Sequence, residues 1–295
     1  MPQENVVDRH QIASPQLSAT ITAEGAELCS LKASDGKELL WQAGPAWPRH
    51  APVLFPIVGR LKGDRLRLGD DSFPLNQHGF ARDSRFHWIE SGPTQCHLRL
   101  EDSAETRARY PFPFRFDILY AIAEDRLDIT YVIVNPGPDS LPASVGAHPA
   151  FRWPLGEGIA KEAHSLTFAE PEPAPIRRLD PDGLLAPTLF PNPLQGKNLP
   201  LNEDLFRTSA VIFEEPASRS VRYAAPGTPT LELSWEGFHE LGLWMKPGAD
   251  FLCIEPWYGI ASARDFDGNF PTKPGLLHIP PGEEHRLSYS IRVIV

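Results

Sequence analysis

The sequence predicts an all-β fold, and three observations carry that expectation. Proline supplies 32 of 295 residues, about 11%, roughly double its ~5% average usage; helix interiors cannot absorb that load, because proline lacks an N–H and clashes with the preceding turn. Apolar and polar residues alternate in run after run, the period of a strand with one buried face. Breakers rich in Gly, Asp and Ser fall between the runs at turn-like spacing, and helical periodicity is nearly absent outside Ser103 to Arg109.

In chain order, strands are expected at Gln16 to Thr22, Ala26 to Leu31 and Glu38 to Trp41, with Ser34-Asp35-Gly36 as a turn between the last two. Arg65 to Leu68 runs into the breaker Gly69-Asp70-Asp71, and Gln95 to Glu101 follows. The clearest pair comes next. Phe114, Phe116, Ile118, Tyr120 and Ile122 share one face, as do Leu127, Ile129, Tyr131 and Ile133, and only Glu124 and Asp125 separate the two runs, which makes a tight hairpin. Further strands are expected at Ala210 to Phe213, Ser220 to Ala224, Thr230 to Trp235, Leu241 to Met245, Phe251 to Ile254 and Arg286 to Val295. Pro171 to Pro200 has no period. No internal repeat flanks it and the charge balance does not shift across it, so it reads as a long loop wrapping one large sandwich rather than a linker between two. Residues 1–295 are then a single domain.

Composition narrows the function. Against 28 Lys and Arg stand 38 Asp and Glu, a net charge of −10, so no global field collects phosphate backbones or anionic lipid; neither nucleic acid nor a membrane is expected as a partner. The three cysteines, Cys29, Cys96 and Cys253, are odd in number and lack CxxC spacing, which points to buried free thiols in a reducing compartment. The opening MPQENVVDRHQ has no apolar stretch of signal-peptide type, and no window approaches the ~18 apolar residues of a membrane helix. A cytoplasmic location is expected.

Four stretches interrupt the alternation with polar groups among Pro, Gly and aromatics: Trp47 to Arg60, Gln77 to Asp83, Gly146 to Trp153 and Cys253 to Gly259. Within them stand His78, His148 and Glu255. Imidazole titrates near neutrality and a carboxylate is its natural complement for proton transfer. Taken singly, each also suits an ordinary place, the histidines as hydrogen-bonded turn residues and Glu255 as a solvent-facing strand end. His50, His78, His148 and Glu255 are the candidate metal ligands, but neither His-x-His nor helical His-x-x-x-His occurs, so no metal is expected. A Gly-x-Ser-x-Gly elbow and a Gly-rich phosphate loop are also missing.

In this order the stretches Arg49-His50-Ala51-Pro52-Val53-Leu54-Phe55-Pro56 into Val58-Gly59-Arg60, His78-Gly79-Phe80-Ala81-Arg82-Asp83, His148-Pro149-Ala150-Phe151 and Glu255-Pro256-Trp257 resemble the aldose 1-epimerase (galactose mutarotase-like) family, in its shorter bacterial branch. Similarity runs from about residue 15 to the C-terminus and includes Asn202-Glu203-Asp204-Leu205-Phe206 and Lys273-Pro274-Gly275. The resemblance implies one antiparallel β-supersandwich that interconverts the α and β anomers of an aldose without a cofactor. By the same resemblance Glu255 is the general base on the C1 hydroxyl and His148 the general acid on the ring oxygen. His78 would hold the ring oxygen or a neighbouring hydroxyl, and Asp204 would accept a sugar hydroxyl. Trp257, Phe151 and Phe80 stand beside these polar groups and suit either the C–H face of a pyranose or a place in the core or rim. A carboxylate beside His148 is expected to raise its pKa.

The larger galactose-type enzymes carry a second arginine where this chain reads Gly59-Arg60-Leu61-Lys62-Gly63-Asp64, so galactose specificity does not follow. A related branch holds hexose 6-phosphates with arginines, and Arg49, Arg60 and Arg82 are candidates for that role or for ion pairs with Asp83 and Asp64. The expected partner is a small sugar or sugar phosphate, and the oligomeric state stays open between monomer and homodimer. Two other functions compete: a non-catalytic sugar-binding or sensing protein, which has no need of both an acid and a base, and a glycoside hydrolase, which wants a second carboxylate.

Overall fold

The hairpin around Glu124 lies at the heart of the larger sheet. In the computed structural model, which describes residues 8–295, Arg115–Ala123 pairs antiparallel with Arg126–Val134 and sets Ala123 opposite Arg126. Glu124 takes the positive φ, 50°, that lets two residues close the turn. The alternation buries Phe116, Ile118, Tyr120 and Ile122 on one strand and Leu127, Ile129, Tyr131 and Ile133 on the other.

Nine strands make this sheet, in the order Asn198–Pro200, Ser165–Phe168, Ser220–Ala224, Thr230–Glu236, Glu284–Ile294, Arg126–Val134, Arg115–Ala123, Gln95–Glu101 and His87–Ser91. A six-stranded sheet runs Val211–Phe213, Glu240–Trp244, Phe251–Tyr258, Val145–Ala147 and Val53–Leu54, with Ala150–Arg152 also pairing to Phe251–Tyr258. Arg9–Ala13, Leu17–Thr22 and Leu28–Ala33 form a third sheet. The ladders are antiparallel, and one continuous apolar cluster reaches from Ile12 to Val293. The one α-helix among the described residues is a single turn, Ala104–Arg107, inside the expected Ser103 to Arg109, closed by a reciprocal Ser103–Thr106 cap.

Two expectations on strands need correction. Glu38 to Trp41 is not a strand: Glu38 Oε1 accepts the backbone N–H groups of Leu31 and Leu40 at 2.9 and 3.0 Å, so a side chain supplies what a ladder would. Phe251–Tyr258 continues past Ile254 through Glu255 and Pro256. Its residues are buried on both faces, which erases the alternation that marks a strand end. Val53–Leu54, Val145–Ala147 and Ala150–Arg152 escape sequence reading because two or three residues hold no period. The expected loop Pro171 to Pro200 ends in the edge strand Asn198–Pro200; the rest is irregular but pinned. Single bridges join Ile176 to Phe190, Leu179 to Leu185, Arg177 to Ile212 and Leu185 to Ala263, laying it against the six-stranded sheet.

Candidate active site

Register builds the site. Gly146 pairs with Trp257 on one side of His148 and Ala150 with Cys253 on the other, so the unbroken register sets His148 across from Glu255, where side chains on one face meet. Pro149 interrupts the ladder there, since it has no N–H to donate. On the other flank of Phe251–Tyr258, Gly242 faces Glu255 and Glu240 faces Trp257. The two glycines make room for Trp257: a Cβ on Gly242 would lie 2.4 Å from the indole and one on Gly146 2.6 Å from it. The ring therefore lies across the sheet as a floor.

Above it opens a cleft of about 390 Å³ lined by His78, His148, Glu255, Trp47, Trp244 and Trp257, with Arg82, Gln77 and Arg60, whose Nη1 donates to the Asp182 carbonyl at 3.2 Å, and with Asp180 to Gly183 of the long loop. His148 Nε2 and Glu255 Oε2 are 3.2 Å apart. Glu255 is 1% exposed and His148 7%, and neither Glu255 Oε2 nor His148 Nδ1 has an aligned hydrogen-bond partner. Trp47 stacks on the His148 ring at 5.1 Å between centroids, and Trp244 meets its edge at 5.6 Å. His78 stands perpendicular to His148 at 5.7 Å. Its Nδ1 accepts the Gly59 N–H at 3.1 Å, which puts the ring proton on Nε2; Gln77 Nε2 lies 3.2 Å from that atom, and the two bond only with the amide turned to present its oxygen. His78 and Gly79 both take positive φ, and a Cβ on Gly79 would strike the Phe55 carbonyl at 2.2 Å, so the His-Gly pair is what lets this turn present the imidazole.

Burial governs the protonation of these groups. It pulls His148 down to about 3, with the Arg82 and Arg49 charges adding to the fall, and pushes the Glu255 carboxyl well above the usual carboxylate range. The expected rise for His148 is thus reversed: in a site this dry the cost of charging the imidazole outweighs attraction to a carboxylate that is itself driven neutral. His78 is likewise held well below the usual imidazole value, by burial first and then by the charges of His148, Arg82 and Arg49. Burial thus favours the uncharged pair, a carboxylic acid beside a neutral imidazole, and keeps His78 neutral.

The arginines are all engaged by carboxylates. Arg49 Nη2 lies 2.7 Å and Arg82 Nε 3.7 Å from the same Asp83 side chain. Arg60 Nε pairs with Asp64 at 2.9 Å, and Arg264 bonds both Asp180 and Asp182 at 2.6 Å. The Arg49–Arg82 end carries one positive charge in excess and the Asp180–Asp182 end one negative. Of the other sequence candidates, Asp204 does not reach the cleft: it is exposed on the 3₁₀ turn Glu203–Phe206 and pairs with Arg207. Phe80 and Phe151 are core residues, buried in the main apolar cluster. Trp244, Asp180 and Asp182, which carry no motif of their own, take places in the cleft instead. His50 turns away, its Nδ1 3.6 Å from Glu27. His148, Cys253 and Glu255 bring donor atoms within 4.8 Å of one another, and burial raises both the Cys253 thiol and the Glu255 carboxyl.

The sequence profile of the aldose 1-epimerase family matches residues 8–292, and the chain belongs to that family. It is similar to the galactose mutarotase related enzyme from Lactobacillus acidophilus, with 31% identity, 97% of each chain covered and a TM-score of 0.90. The galactose mutarotase-like protein from Lactobacillus casei gives 28% identity over 97% of this chain and 99% of that one, also at a TM-score of 0.90. Protein LacX of Lactococcus lactis is 28% identical over 96% of this chain and 99% of its own length. No helix among the described residues is long and apolar enough to cross a membrane.

Proposed function

We propose that this protein is a cofactor-free aldose 1-epimerase in which Glu255 removes the proton from the C1 hydroxyl of a pyranose while His148 delivers one to the ring oxygen. The C1–O5 bond then breaks, the aldehyde rotates about C1–C2, and closure with the roles exchanged gives the other anomer. One proton is taken and one given, so the pair starts and ends with the same count. The observation that carries this reading is the His148–Glu255 contact at 3.2 Å, buried and with polar atoms unclaimed by the protein. Its resting neutral form differs from the working form, carboxylate beside imidazolium, by transfer of a single proton between the partners. His78 Nε2 would donate to the ring oxygen or a neighbouring hydroxyl, and Trp47, Trp244 and Trp257 would pack on its C–H face.

An unphosphorylated aldose suits the cleft better than a hexose phosphate, because its ion pairs leave only one positive charge in excess, shared by Arg49 and Arg82 around Asp83, against a dianion. The continuous core from Ile12 to Val293 supports one domain, and the three buried free thiols suit a cytoplasmic location. Polarimetric decay of freshly dissolved α-D-glucose, α-D-galactose and α-D-glucose 6-phosphate, each corrected for its spontaneous rate, tests the proposal. Acceleration on a neutral aldose is expected. Faster decay of the phosphate alone would overturn the substrate preference, and no acceleration on any sugar, together with measurable sugar binding, would favour a binder.

A further inference from the structure

A second group of metal-ligating side chains lies where the three-stranded sheet meets the segment that carries Trp47 and Arg49. Glu27, Cys29 and His50 bring a carboxylate oxygen, a sulfur and an imidazole nitrogen within 4.8 Å of one another. Of the ligands considered from sequence, only His50 recurs here. A register shift explains the rest. Ser30 pairs with Thr20 but Leu28 with Ile21, so Cys29 is the extra residue of a β-bulge, a device that re-aims a side chain; its carbonyl accepts the Gln42 side-chain amide at 3.1 Å. Glu27 Oε1 accepts the backbone N–H groups of His50 and Ala51 at 2.8 and 2.9 Å, which fixes the carboxylate against the second segment. Its other oxygen, Oε2, lies 3.6 Å from His50 Nδ1, too far for a hydrogen bond. His50 Nδ1 is buried with no hydrogen-bond partner, and the Cys29 thiol donates to the Glu27 backbone carbonyl at 3.3 Å. Among the described residues no hydrogen bond links any two of the three donor atoms.

A buried polar atom without a partner calls for a water or an ion, and the donor set chooses between ions. Sulfur is too soft for magnesium or calcium, whereas thiolate, imidazole and carboxylate together suit zinc. Bonds of about 2.0–2.2 Å at the tetrahedral angle set a nitrogen and an oxygen ligand about 3.4 Å apart, close to the 3.6 Å between His50 and Glu27. The side chains of Glu27 and His50 are 16% and 17% exposed, so an ion can enter from solvent. We propose that Glu27 Oε2, Cys29 Sγ and His50 Nδ1 hold one zinc ion, with water as the fourth ligand. No fourth His, Cys, Asp or Glu joins the group among the described residues. As the Zn–S bond forms, the thiol proton, which burial holds in the free protein, leaves to solvent. The ion would tie Leu28–Ala33 to the stretch that sets Trp47 on His148 and Arg49 on Asp83, a structural staple apart from the chemistry proposed above.

The test uses the full chain, stripped with a chelator, and cobalt(II) as a spectroscopic substitute for zinc. One equivalent of cobalt should give the near-ultraviolet charge-transfer band of a cobalt–thiolate bond, and zinc should displace it. In variants whose circular dichroism matches wild type, Cys29→Ala should abolish the band. His50→Gln, at a part-exposed position where folding is not at stake, should weaken zinc binding at least about tenfold in competition with a chromophoric chelator, the scale lost when even a supporting partner of a ligand is removed. Cys253 offers a second thiol beside His148 and Glu255, so Cys253→Ala is the control and should keep the band. Bound zinc should also raise the wild-type Tm by the amount that the ratio of free zinc to Kd sets, and raise it less in His50→Gln. A wild-type protein without the thiolate band, a band lost in Cys253→Ala rather than Cys29→Ala, or zinc affinity unchanged in His50→Gln would each overturn the site. None of these readouts involves a sugar, so the outcome is independent of whether mutarotation is observed.

Discussion

The molecule contains two histidine–carboxylate pairs on its two large sheets, and they meet opposite fates. In the nine-stranded sheet His97 Nε2 lies 2.8 Å from Asp117, which also takes Arg99 at 2.6 Å and Arg115 at 3.0 Å. Burial alone would raise that carboxyl, but the bonds from Arg99 and His97 outweigh it and hold Asp117 below the usual range. In the six-stranded sheet Glu255 has His148 at 3.2 Å as its ion-pair partner, and burial carries it the other way. A histidine beside a carboxylate is thus part of a saturated cluster where guanidinium groups also bond the carboxylate, and a pair with unclaimed polar atoms where they do not. Reactivity here comes from what the fold withholds.

That contrast can be broken first at the carboxylates. Glu255→Gln should lower the mutarotation rate by about 10²–10⁴-fold, the worth of a positioned acid–base group, with sugar binding retained in titration. The pH profile of kcat/KM sharpens the same point. Below about 3 the His148 imidazole gains a second proton while Glu255 stays protonated, so the base is lost. Above the raised Glu255 pKa the pair loses its one proton, so the acid is lost. A plateau that opens above about 3 and extends beyond the usual carboxylate range is therefore expected, whereas a bell with limbs near ~4.3 and ~6.5, the unperturbed values, would mean the two groups titrate independently.

Asp117→Asn should do the reverse of Glu255→Gln. It should cost about 1.5–3 kcal/mol in denaturant unfolding, typical of hydrogen bonds to charged groups, and leave kcat unchanged. A matching loss of kcat would show that the two sheets are not functionally separate. Gly242→Ala should cost about 1–3 kcal/mol as an overpacked site, because its Cβ meets Trp257; displacing that floor should raise KM, and an unchanged KM would remove Trp257 from sugar contact. The smallest effect belongs to Asp204→Ala. Its exposed pair with Arg207 is worth roughly 0–1 kcal/mol, and kinetic constants equal to wild type are expected; a large rise in KM would return Asp204 to the site.

Much of the fold was legible because its signals are local. The alternation in Phe114 to Asn135 and the two-residue turn at Glu124 and Asp125 dictate a hairpin whatever surrounds it, and the proline load keeps the chain out of helices. The motif stretches could likewise be read from residue type, because His-Gly and His-Pro break a strand and bring titratable groups with them. The loop from Pro171 to Pro200 was legible as a loop, but not as the segment that brings Asp180 and Asp182 to the cleft.

By itself, then, the sequence determined an all-β chain, its principal strands and the titratable groups available for proton transfer. Tertiary structure decided which of them meet. His148 stands 107 positions from Glu255 in the chain, and only the register of Val145–Ala147 and Ala150–Arg152 against Phe251–Tyr258 sets them face to face. It also decided the protonation of the pair, reversing the expected rise at His148. The reason is physical. Periodicity and turn chemistry act over a few residues and leave their mark in the sequence, while register and desolvation are sums over contacts between distant segments, which no single stretch of the chain contains.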